Sequence, residues 1–142
     1  NCADTIVGDD MRRGVSGGER KRVTTAEMLS SRRPFVLYDQ ISTGLDSAAT
    51  FDISRLICGV AKTLHSTPVA ALLQPAPEVY NLFDEVLILS EGMIMYHGKR
   101  EDVLPFFESI GFACPEDRDI ADFVQEVTTT ARTKFKSRAD AP

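Results

Sequence analysis

Phe35-Val36-Leu37-Tyr38 is a short apolar run, closed by Pro34 on one side and Asp39 on the other. With no polar residue alternating through it, the run has no face to give to water. It therefore reads as a strand buried in a parallel sheet. Such a strand needs covering helices and a partner, and the neighbouring residues supply both patterns. Ser16-Gly17-Gly18 is a turn signal, and Glu19 to about Ser31 reads as a helix, with Val23, Ala26 and Leu29 (or Met28) as its apolar face. Ser16 lies three residues before Glu19, the spacing of a capping box, which puts both glycines in the first helical turn. Asp46 or Ser47 caps a longer helix in which Phe51, Leu56, Val60 and Leu64 recur at helical spacing, and Ile53, Ile57 and Ala61 widen the stripe. Val69 to Leu73 is a second apolar strand, stopped by Gln74-Pro75. Strands alternating with amphipathic helices give an α/β layered fold.

Glu78 to Phe83 is expected to be a short helix. Glu85 to Leu89 and Met93 to Tyr96 flank Ser90-Glu91-Gly92, a hairpin pattern. Arg100 to Ile110 reads as a helix that Pro105 should kink or restart, with Gly111 as its cap. Asp119 to Val127 is a last helix. Beyond Thr128 the residues are polar and basic, with Lys134, Lys136 and Arg138 among small side chains, so 1–128 is read as the folded portion and 129–142 as a linker. His65 falls at a helix end, where a capping role is expected, and His97 follows a strand at a structural or exposed position.

The net charge of -5 over 142 residues argues against a nucleic-acid surface. Cys2, Cys58 and Cys114 are odd in number and have no metal-ligand spacing, so they are expected to be reduced thiols. No window approaches the run of about 18 apolar residues that a membrane helix needs, and no signal peptide is visible. The start at Asn1, with no Met, suggests a piece of something longer.

Two constellations carry chemistry. A glycine pair at a helix start lets backbone N–H groups approach an anion, where the helix dipole favours negative charge. The same Ser-Gly-Gly is also consistent with a plain capped helix. Asp39 ends a strand where α/β proteins bind phosphates and Mg²⁺, although an Asp there can equally cap the next loop. The ordered series of glycine loop, strand-Asp, Asp-capped helix and strand-Gln-Pro is harder to reach by chance than any one of them.

Gly14 to Glu27, with Val15-Ser16-Gly17-Gly18-Glu19-Arg20-Lys21-Arg22 at its centre, resembles the signature loop and helix of G-type ATP-binding cassette (ABC) transporters. Phe35 to Gln40 resembles their Walker B strand, Ile41 to Thr50 their D-loop, and Leu72 to Glu78 the segment that carries the switch histidine. Gly92 to Gly111 and Cys114 to Thr128 resemble the C-terminal portion of the cassette in the pleiotropic drug resistance subfamily. The resemblance implies the C-terminal half of a P-loop NTPase-type cassette, the first of a full-length transporter, without its Walker A portion.

It also implies that ATP is sandwiched between two cassettes. Ser16, Gly17, Gly18 and Glu19 would then serve a nucleotide held mainly by the partner cassette. Asp39 would hold Mg²⁺ through water, and Ser42, Gly44 and Asp46 would lie at the cassette interface. Two positions depart from the pattern. Gln40 stands where the family has its catalytic Glu, and an amide can orient water but cannot accept its proton. Leu73 stands at the switch His position and offers no hydrogen bond. The implied whole is an ATP-driven exporter of hydrophobic compounds at the cytosolic face of a membrane, partnered by a second cassette and by transmembrane domains. A catalytically degenerate regulatory module and a soluble non-transporter ABC protein are the alternatives. Without a Walker A loop the chain alone is expected not to hydrolyse ATP, and a parallel sheet missing its N-terminal strands would expose apolar edges, so it is expected not to fold stably.

Overall fold

The computed structural model describes residues 5–8, 14–30 and 33–128. The linker expected at 129–142 and Cys2 lie outside these residues. The chain forms two compact units, Asn1–Leu73 and Gln74–Pro142.

In the first unit, α1 (Gly17–Ser30) is followed by β1 (Phe35–Tyr38), α2 (Ser47–Leu64) and β2 (Thr67–Ala70). β1 and β2 are parallel, with Phe35 opposite Thr67 and Tyr38 opposite Ala70. β2 therefore begins and ends earlier than the Val69–Leu73 expected from its apolar residues. Its length is set by β1: the last ladder bond runs from the Ala71 N–H to the Tyr38 carbonyl at 2.8 Å, and the pairing among the described residues ends there. Pro68 is tolerated because the N–H groups of Thr67 and Ala71 are the ones that reach β1. By alternation, position 68 faces the other edge, where a missing donor costs nothing.

Asp46 caps α2, its Oδ1 accepting from the Ala49 N–H at 2.7 Å. His65 closes the helix in the left-handed conformation at φ 51°, and its N–H bonds to the Ala61 carbonyl. α2 buries Ile53, Ile57 and Ala61 together with Thr50 and Ser54. Tyr38 and Ile41 join Ile53 and Ile57 in one core cluster. Of the expected face Phe51-Leu56-Val60-Leu64, Phe51 and Val60 are half-buried, while Leu56 is 42% and Leu64 39% exposed. α2 meets its sheet on one side only, and the narrower β-branched stripe fits that side.

Of the apolar face expected on α1, Val23, Ala26 and Met28 are exposed, and the Leu29 side chain lies outside the described ones. Val23 is 49% and Met28 37% exposed, whereas Thr25 is 4% exposed. What turns α1 is its packing on α2. A Cβ on Gly18 would sit 3.8 Å from Ala49 Cβ, and Arg22 pairs with Asp52 at 3.0 Å. Gly18 and Thr25 lie on one side of the helix, the side turned inward, with the half-exposed Arg22–Asp52 pair at its edge, and Val23 lies off it. The sheet too is covered on one face among the described residues, not on both: Phe35, Leu37 and Val69 remain exposed.

In the second unit, α3 (Pro77–Tyr80) starts with proline at its first position, and β3 (Glu85–Ser90) pairs antiparallel with β4 (Met93–Lys99). Glu91 and Gly92 both have positive φ, 51° and 75°, the backbone of a tight hairpin whose twist matches its strands. β4 runs past the expected end at Tyr96 and includes the exposed His97. A 3-10 turn (Arg100–Asp102) leads into α4 (Val103–Ser109). Pro105 neither kinks nor interrupts α4, because it lies in the first turn, where its missing N–H has no intrahelical partner to lose. Gly111 follows α4 at φ 90°, its N–H bonded to the Glu108 carbonyl at 3.0 Å. α5 (Ile120–Val127) completes a core of Val103, Phe107, Phe123, Val124 and Val127. Phe107 packs edge-on against Phe123 with ring centroids 6.1 Å apart.

Candidate nucleotide site

The N-terminus of α1 is a reciprocal capping box. The Ser16 N–H donates to Glu19 Oε2 at 2.8 Å, and the Glu19 N–H donates to Ser16 Oγ at 3.3 Å. This arrangement decides which donors remain. Glu19 takes up the Ser16 amide, while Ser16 Oγ acts as an acceptor and keeps its own hydrogen to give. Gly17 and Gly18 occupy the first turn, where backbone N–H groups have no intrahelical partner. One hydroxyl and two amides are thus collected at the positive end of a helix, a donor set suited to a phosphate-class anion. Among the described residues, no atom beyond its chain neighbours and its own helix backbone lies within 4 Å of where a Gly17 Cβ would be.

The Ser42–Asp46 loop stands beside this terminus. A Cβ on Gly18 would be 3.9 Å from Leu45 Cδ2. The loop is made of successive turns: the Thr43 N–H reaches the Gln40 carbonyl and the Leu45 N–H the Ser42 carbonyl, each at 3.1 Å. Gly44 supplies the left-handed backbone at φ 76°. Asp46 is exposed, with one carboxylate oxygen held by its cap.

Asp39 is exposed at the C-terminal end of β1. The described residues contain no cluster of three or more His, Cys, Asp or Glu able to form a metal cage. A single carboxylate is what Mg²⁺ typically takes from a protein when phosphates and water complete its shell, so the donor chemistry fits. Gln40 adopts φ 46°, and its Oε1 accepts from Thr43 Oγ1 at 3.3 Å. Leu73 is 81% exposed, and Gln74 follows with φ 48°.

Gly14 and Arg20 are contacts that the sequence pattern did not single out. A Cβ on Gly14 would meet the Val7 carbonyl carbon and oxygen at 2.4 Å. Arg20 Nη2 lies 3.4 Å from both the Val7 and the Gly8 carbonyl oxygens. Gly8, at φ 79°, and Gly14 form a glycine pair that could have signalled this close approach.

Known proteins are similar to this chain along most of its length. ABC transporter G family member 36 of Oryza sativa subsp. japonica is 54% identical over 142 residues, covering 99% of this chain and 10% of its own length. The chain is a homologue of one segment of the ABC transporter G family. Member 32 from the same plant is 57% identical over 142 residues, again 99% of this chain and 10% of that protein. Pleiotropic drug resistance protein 1 of Nicotiana tabacum is 56% identical over 128 residues, 90% of this chain and 9% of that protein. The chain therefore spans about a tenth of the length of the curated relatives it matches. No family model matches it. Among solved structures, a chain from work on ATP-driven dimerization and DNA-stimulated activation of SMC ATPases is similar, with TM-score 0.48 and 23% identity over 72% of this chain and 67% of that one. No helix among the described residues is long and apolar enough to cross a membrane.

Proposed function

We propose that residues 1–128 are the C-terminal half of a nucleotide-binding cassette, the first of a G-family exporter, with 129–142 as its linker. The cassette binds MgATP at an interface shared with a second cassette, and the whole transporter moves hydrophobic compounds across a membrane from its cytosolic face. The observation that carries this reading is the Ser16–Glu19 capping box, which leaves the Ser16 hydroxyl and the Gly17 and Gly18 amides free to face an anion. ATP supplies the γ-phosphoryl group and Mg²⁺ the countercharge; Asp39 would hold the metal.

The chain's own residues divide the work unequally. Ser16, Gly17 and Gly18 donate hydrogen bonds and need no ionisation, so the site they complete in trans is competent on their account. Gln40 can hold a water by its amide but cannot take a proton from it. Its Oε1 is already engaged by the Thr43 hydroxyl. Leu73 presents only methyl groups. The site built around Asp39 and Gln40 is accordingly slow or silent, and turnover belongs to the other composite site. These losses also favour a second reading, a regulatory module that binds nucleotide without turnover.

A chimera tests both readings, with this chain replacing the matching segment of the Oryza sativa member 36 protein. Ser16→Arg should abolish the ATP turnover that remains. Gln40→Glu should add general-base catalysis and raise turnover by roughly 10²-fold at the Asp39 site. Turnover indifferent to Ser16→Arg contradicts the trans site. Nucleotide binding with no turnover even in the Gln40→Glu chimera favours the regulatory module.

A further inference from the structure

Three separate devices join residues 5–8 to the start of α1. The Val15 N–H donates to the Ile6 carbonyl at 3.1 Å. Gly14 approaches the Val7 backbone so closely that a Cβ there would be 2.4 Å from its carbonyl and 2.5 Å from the Gly8 nitrogen. Arg20 Nη2 reaches the Val7 and Gly8 carbonyl oxygens at 3.4 Å each. Arg20 is also bound to the loop itself, its backbone N–H donating to the Ser16 carbonyl at 2.9 Å. One residue thus holds the loop by its main chain and the preceding strap by its side chain. The loop between those anchors contains the donors of the candidate site.

We propose that Arg20 is a positioning residue for the Ser16–Gly18 loop, clamping it to the Val7–Gly8 backbone so that its donors keep a fixed aim at a phosphate-class anion. The proposal rests on the reading of Ser16–Gly18 as the nucleotide loop. The charge matters because a cation binds neutral carbonyls more strongly than a neutral donor does, and the fixed aim matters because small misplacements of reacting groups are costly in rate. Lysine keeps the positive charge and hydrogen-bond donors for these carbonyls, whereas methionine keeps neither.

The experiment uses the same chimera with Arg20→Met, Arg20→Lys and Ser16→Arg. Hydrogen exchange of residues 15–19 is measured without nucleotide, and ATP turnover is resolved into kcat and KM. Arg20→Met should speed exchange at these amides and lower kcat about tenfold, with KM for ATP within about twofold. Arg20→Lys should recover most of both. Unchanged exchange and kcat in Arg20→Met overturn the clamp, and so does a lysine variant as impaired as the methionine one. If Ser16→Arg leaves turnover intact, the nucleotide reading fails instead, and the exchange comparison alone then decides whether the clamp exists.

Discussion

Gly17→Ala separates a glycine kept for folding from one kept for a ligand. Position 17 is the first residue of α1, its φ lies outside the left-handed range, and a Cβ there finds no described heavy atom within 4 Å beyond its chain neighbours and its own helix backbone. The added methyl therefore meets no steric cost within the described structure. It also removes backbone freedom from the unfolded chain, for a gain of up to about 1 kcal/mol in helix propensity. Structure alone thus predicts a neutral or slightly more stable variant. The open space beside Gly17 is, however, where an anion would approach its N–H. A methyl there would hold a phosphate back by about 1 Å, a displacement that can cost about 100-fold in rate. In the chimera, Gly17→Ala should leave hydrogen exchange in α1 unchanged or slower while ATP turnover falls by about two orders of magnitude. Turnover within twofold of the parent would refute the reasoning, since the glycine would then have no ligand to admit. Faster exchange throughout α1 would refute it as well, because the loss would be structural.

Other consequences are narrower. The Tyr38 hydroxyl is buried and has no hydrogen-bond partner among the described residues, so Tyr38→Phe should raise the thermal midpoint of the chimera, by about 1 kcal/mol of stability. Burial raises the acid dissociation value of Tyr38 above its ordinary one. The neutral form is thus favoured by folding: the contribution is complete below about pH 10 and lost as pH rises through the folded value. Tyr38→Phe should therefore soften the alkaline loss of stability, and a midpoint that falls in the variant, at neutral or alkaline pH, counts against this account. The isolated 142-residue chain should show no sharp cooperative melt and should bind an apolar-surface dye, given exposed Phe35, Leu37 and Val69 on a two-stranded parallel sheet. A steep calorimetric transition without dye binding would contradict that.

The local chemistry was legible in the sequence because it is encoded over three or four residues. The spacing of Ser16 and Glu19 gave the capping box, Asp46 or Ser47 the start of α2, Ser90-Glu91-Gly92 the hairpin turn and Gly111 the helix end. Long-range packing was less legible. Two apolar stripes run along α2, and nothing in the sequence says which one the sheet will take; the Ile53-Ile57-Ala61 stripe was buried and the Leu56-Leu64 side left outside. On α1 the apolar residues Val23 and Met28 misled, because a small Gly18 and the Arg22–Asp52 pair oriented the helix. The extent of β2 depended on where β1 stops, a pairing fact that hydrophobicity along one strand does not contain. Gly14 and Arg20 were missed for the same reason: their significance lies in their distance from Val7 and Gly8 in space.

Ser16→Asp puts the nucleotide reading to its most direct test. Aspartate caps helices about as well as serine, so α1 and its exchange behaviour should persist. The same substitution replaces a hydroxyl donor with a negative charge at the point where a phosphate would bind. ATP turnover of the chimera should fall at least about 100-fold, a loss of the order seen when a preorganised donor to a developing anion is removed. Turnover and ATP affinity that match the parent, with α1 intact, would mean that this helix start faces no phosphate.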